Sequence, residues 1–103
     1  PWQKNVHRIE AQLKDELTEC ERLAIVKETR ILGAIGVVEL NTEVDLGFMS
    51  HLIIQKGVWV RPFLNLVYIM PPFIISNAEL THLTSAIFEV IRDFEAYKEN
   101  KSI

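Results

Sequence analysis

Residues 57–72 read GVWVRPFLNLVYIMPP, an almost wholly apolar run with a single charge, Arg61. The β-branched and aromatic residues over 58–63 and 66–70 predict two strands of a hairpin. Leu64-Asn65 is the expected turn, since asparagine tolerates the left-handed backbone of a tight connection. Pro71-Pro72 ends the second strand. Pro62 cannot donate to a ladder, which confines the first strand to a sheet edge or a bulge. A guanidinium in such a run is costly unless an anion meets it, either an internal carboxylate or a ligand.

Working outward, Val6, Ile9, Leu13, Leu17 and Cys20 recur every three or four residues among charges, which predicts an amphipathic helix over 3–20. Residues 25–31 and 34–40 are rich in Ile and Val and predict two antiparallel strands turning near Leu32-Gly33, with a single kinked strand as the alternative. Asp45 can cap a second helix running to about Lys56, closed by Gly57, with apolar residues around much of its circumference. Ser76 and Glu79 form a capping box before a last helix whose apolar face holds Leu80, Leu83, Ile87, Val90, Ile91, Phe94 and Tyr97. The order helix-strand-strand-helix-strand-strand-helix predicts an α+β fold: a small antiparallel sheet with helices packed on it, in a single domain over 1–103.

Composition narrows the function. The chain has 103 residues, 49% of them hydrophobic, which suits one folded domain with a modest core. Eleven basic and fourteen acidic residues give a net charge of -3, against a nucleic-acid-binding surface. One cysteine, Cys20, excludes an internal disulfide and fits a reducing compartment; it reads as a small core residue. Arg61 and Pro71-Pro72 interrupt the longest apolar runs, so no membrane span is expected. No signal-peptide pattern opens the chain, and it begins at Pro1-Trp2 without a methionine, so a longer parent is expected.

His7, His51 and His82 never approach metal-ligand spacing, and no nucleophile–base set can be assembled. Gly33-Ala34-Ile35-Gly36 reads as bend chemistry, and Glu10, Asp15, Glu16 and Glu19 as the solvated face of the first helix. Arg61 is what remains. With Phe63 and Tyr68 near it across the hairpin, it is a candidate carboxylate clamp for a partly apolar substrate. An edge-strand arginine paired to a nearby Asp or Glu is the competing reading.

The runs Arg30 to Leu40 (RILGAIGVVEL) and GVWVRPFLNLVYIMPPFIIS resemble the C-terminal part of class III (subgroup II) aminotransferases, pyridoxal-phosphate enzymes of fold type I. Within that family the chain is most similar to the branch that moves an amino group from S-adenosylmethionine to 8-amino-7-oxononanoate in biotin biosynthesis. The resemblance covers nearly the whole chain. It implies that Arg61 binds the substrate carboxylate and that Phe63 and Tyr68 line the same pocket. Family members often carry glycine where this chain has Leu64. The resemblance also implies that the Schiff-base lysine and most cofactor ligands lie in a large domain or a partner subunit. No catalytic, cofactor-binding or metal-binding residue is then expected among these 103, and the chain alone is expected to be inert. The parent is expected to be a cytoplasmic homodimer, with the large pyridoxal-phosphate domain as this segment's partner. A small α+β regulatory module that dimerises without catalysis is the alternative from another class.

Overall fold

The computed structural model describes residues 2–44, 47, 49 and 60–101. Helix α1 runs Trp2–Glu16 and continues as a 3-10 helix, Leu17–Arg22. Strands β1 (Val26–Leu32) and β2 (Ile35–Leu40) follow, then β3 (Val60–Phe63), β4 (Leu66–Ile69) and helix α2 (Asn77–Lys101). The four strands form one antiparallel sheet in the order β1-β2-β4-β3. The α+β architecture expected from the sequence is the one observed. The helix expected over residues 45–56 lies outside the described residues, apart from Gly47 and Met49.

The apolar stripe of the first helix is buried as expected: Ile9, Leu13, Leu17 and Cys20 are all inside. The helix does not stay α to residue 20. The Thr18 hydroxyl donates to the carbonyls of Lys14 (2.9 Å) and Asp15 (3.4 Å), at the point where the turns tighten. The 3-10 geometry brings residues three apart onto one line, which keeps Leu17 and Cys20 facing the core together. Burial pushes the Cys20 thiol up to about 12, so it stays protonated and inert.

Both helices cover the same face of the sheet. On that face Val38, Leu40, Val67 and Ile69 join Leu80, Leu83, Ile87, Ile91 and Phe94 in the core. Gly36 lies against Leu17 of the 3-10 helix. A Cβ there would stand 2.7 Å from Leu17 Cδ2, so Gly36 serves packing, whereas bend chemistry was expected of it. Gly33 does form a bend: the turn falls on Gly33-Ala34, one residue later than expected, with φ +59° at Gly33.

Helix α2 starts as the sequence predicts. The Ser76 N–H donates to Glu79 Oε1 (2.9 Å) and the Glu79 N–H to Ser76 Oγ (3.1 Å). The Ser76 N–H, and after it the Ser76 hydroxyl, hold the Glu79 carboxyl below its ordinary range. Ile75 and Leu80, the positions of a hydrophobic staple, are both buried.

Two acids expected on the solvated face of α1 are engaged. Glu10 Oε2 accepts from the Gly33 N–H (3.0 Å) and ties α1 to the first hairpin. Glu16 accepts from the hydroxyls of Thr81 (2.6 Å) and Thr84 (2.8 Å), joining the two helices. The Arg8 guanidinium adds bonds to Asn77 Oδ1 (2.6 Å) and the Ile75 carbonyl (2.5 Å). Among the described residues no helix is long and apolar enough to cross a membrane.

Candidate functional site

The face of the sheet away from α1 and α2 mixes exposed and half-buried residues, and strand alternation decides which they are. The register puts Arg30, Val37, Tyr68 and Arg61 in one row across β1, β2, β4 and β3. The next row holds Glu28, Glu39, Leu66 and Phe63. Directly paired residues share a face with Cβ atoms about 5 Å apart, and diagonal neighbours are about 7–8 Å apart. Arg61 therefore stands beside Tyr68, while Phe63 is diagonal to Tyr68 and opposite Leu66. All three residues singled out from the sequence, Arg61, Phe63 and Tyr68, lie on this face. β3 is an edge strand, as Pro62 requires.

The two arginines of the first row differ. Arg30 Nη1 donates to Glu39 Oε1 (2.7 Å) and lies 3.2 Å from Glu28, while Lys27 Nζ is 3.6 Å from Glu39. The Arg30 bond is the main reason the Glu39 carboxyl sits below its ordinary range. Arg61 is exposed, and among the described residues no carboxylate lies within ion-pair distance of it. Phe63 is 57% exposed beside it, and Tyr68 is half-buried. An edge guanidinium with an aromatic wall can take a carboxylate two-point while its neighbours exclude part of the water.

The turn after Phe63 departs from expectation. The left-handed residue is Leu64, at φ +55°, and no such angle occurs at Asn65. Asn65 acts through its side chain, whose Nδ2 donates to the Leu40 carbonyl (3.2 Å) and reaches Glu39 Oε2 (3.4 Å). Its own carbonyl accepts from the Leu40 N–H (2.8 Å), and the Leu64 carbonyl accepts from Val44 N–H (2.8 Å). An Asn in a hairpin turn was the available signal, but the partner on β2 lies 25 residues away in sequence.

On the helical layer, a groove of about 540 Å³ is lined by residues including Asp15, Glu16, Glu19, Arg22, Thr81 and Arg92. It holds none of Arg61, Phe63 and Tyr68. His7 and His82 are exposed, and His51 lies outside the described residues.

A family model, Aminotransferase class-III, matches residues 1–91. The chain belongs to this family. The adenosylmethionine-8-amino-7-oxononanoate aminotransferase of Mycobacterium leprae is 43% identical over 89 residues, which are 86% of this chain and 20% of that protein. The enzyme of the same name from Corynebacterium glutamicum is 37% identical over 91 residues, 88% of this chain and 22% of the relative. Among solved structures, an amine transaminase from an uncultivated Pseudomonas species, in its PLP-bound form, superposes with a TM-score of 0.73 at 26% identity. That match covers 87% of this chain and 23% of the transaminase. This class-III segment thus spans about a fifth of the length of the curated relatives it matches.

Class-III aminotransferases imply pyridoxal phosphate, which needs a desolvated lysine to attach to. Lys4, Lys14, Lys27 and Lys98 are all exposed. None of these four lysines is desolvated as an attachment site for the cofactor requires.

Proposed function

We propose that this chain is the C-terminal, substrate-binding part of an adenosylmethionine–8-amino-7-oxononanoate aminotransferase of biotin biosynthesis. Its parent is a cytoplasmic homodimer that holds pyridoxal phosphate outside this chain. The large domain of that parent is the segment's partner, and the segment alone is inert. Arg61 binds the carboxylate that both substrates carry, 8-amino-7-oxononanoate at its chain end and S-adenosylmethionine on its methionine part. Phe63 and Tyr68 wall the apolar part of the substrate. The supporting observation is the contrast within one row of the sheet: Arg30 has its counter-ions in the chain, whereas Arg61 has none among the described residues. Membership of an aminotransferase family favours this reading over a regulatory module that dimerises.

The test is Arg61→Ala in the full-length protein. Charge-assisted hydrogen bonds are worth about 1.5–3 kcal/mol, so the Michaelis constants should rise roughly ten- to a hundredfold. Lysine at the same place should recover part of the loss, since it lacks the planar fork. The melting temperature should hold, because no internal carboxylate loses its partner. Unchanged Michaelis constants with a sharply lowered melting temperature would instead make Arg61 a structural ion-pair residue.

A further inference from the structure

We infer that Asn65 is the positioning residue of the carboxylate site: it locks the β3–β4 turn to the end of β2 and so sets where Arg61 and Phe63 stand. The inference rests on the substrate-binding reading above.

β3 is weakly held by its own ladder. Among the described residues it has four positions and a single neighbour, β4, and Pro62 brings no N–H to the pairing. Its turn is strained as well, because Leu64 occupies a left-handed conformation that side chains resist. The strand twist of the hairpin favours a positive φ there, and bonds from outside the hairpin hold a side chain in it. The bonds that do so converge on the end of β2. Both peptide groups of Leu40, a fully buried residue, are taken by Asn65: its carbonyl receives the Leu40 N–H at 2.8 Å and its side-chain amide donates to the Leu40 carbonyl at 3.2 Å. The same amide reaches Glu39 Oε2 at 3.4 Å, the other oxygen of which is bound by Arg30. Val44 N–H closes on the Leu64 carbonyl at 2.8 Å.

Without the amide, the turn is free to return Leu64 to negative φ. Turns of that hand splay the strands they join, and β3 is the strand with least to hold it. Arg61 sits four residues before Asn65 and Phe63 two, so both move with the turn. Asn41 offers an internal control. Its amide donates to the Ala24 carbonyl at 3.0 Å, binding the same end of β2 to the approach of β1, on the side away from β3.

The readout is the ratio of kcat/KM for 8-amino-7-oxononanoate to that for its methyl ester, measured in the full-length aminotransferase. Arg61→Ala should lower this ratio by roughly tenfold or more, since the ester offers no charge to the guanidinium. Asn65→Ala should lower it roughly three- to tenfold, the scale of one ordinary hydrogen bond. Asn65→Gly, which suits a turn and keeps the fold, should do the same. Because Asn65 acts through Arg61, the double variant Arg61→Ala/Asn65→Ala should fall no lower than Arg61→Ala alone. Asn41→Ala should lower the melting temperature and keep the ratio. Asn65 variants that keep the wild-type ratio while Arg61→Ala loses it would overturn the inference and leave the substrate reading standing. An Arg61→Ala enzyme with the wild-type ratio would overturn the substrate reading, and this inference with it.

Discussion

The two hairpins of the sheet are built to one plan by opposite means. Each connects its strands through two residues with the first in a left-handed conformation, Gly33 at φ +59° and Leu64 at φ +55°. Glycine takes that angle without steric cost, whereas leucine gives up on the order of 1–2 kcal/mol. The first turn is therefore written in its own residues, and Glu10 merely docks it to α1. The second is imposed from outside, by Asn65 on Leu40 and Val44 on Leu64. The imposed turn is the one that carries the candidate site. Local strain beside a binding residue is tolerated when surrounding bonds over-determine the geometry, and here those bonds can be named.

The comparison breaks most visibly at the first turn. Gly33→Val puts a β-branched side chain where φ is positive and should cost about 2 kcal/mol or more in urea unfolding. Loss of less than about half that would show that the first turn, too, can be imposed by its neighbours. The reverse exchange sharpens the contrast: Leu64→Gly should stabilise by about 1 kcal/mol, because the strain goes and little burial is lost from a side chain 56% exposed. A drop in stability would mean that the apolar tip contributes more than its strain costs.

The smallest effect is electrostatic. The Glu39 and Glu79 carboxyls both lie below their ordinary value of 4.5, through Arg30 and Ser76 respectively. A depressed folded pKa means stability that is present above 4.5 and is lost as the pH falls through the lower folded values. Acid should therefore erode stability from about pH 5 downward. Glu79→Gln should remove the part of that dependence that comes from the α2 cap, and Glu39→Gln the part from the β1–β2 pair. Melting temperatures across an acid series check both, and slopes unchanged in either variant would remove that carboxyl from the account.

Much of this was legible in the residues because the rules involved are short-range. Helix period, the Ser76–Glu79 box and the demotion of β3 to an edge by Pro62 each act within a few positions. The lone charge of the opening run pointed to Arg61 for the same reason: its cost is a property of the run. Turn handedness was legible at Gly33 and misleading at Leu64-Asn65, where the residue chemically suited to a positive φ does not adopt it. Propensity was overruled there by four hydrogen bonds between the turn and β2 with the segment after it.

What the sequence determined by itself is the four strands and the first and last helices, their order, and the residue types able to bind a carboxylate. What only the tertiary structure decided is which of them meet. The strand order β1-β2-β4-β3 seats β4 between β2 and β3, and this places Tyr68 beside Arg61 and Arg30 at the far end of the same row. It likewise turned Glu10 from a solvated acid into a tie between α1 and the first hairpin, Glu16 into a tie between the two helices, and Gly36 from a bend into the seat of Leu17. Such choices depend on pairing between residues tens of positions apart. Their free energy comes from burial and hydrogen bonds formed only once the layers close, so no local pattern can carry them.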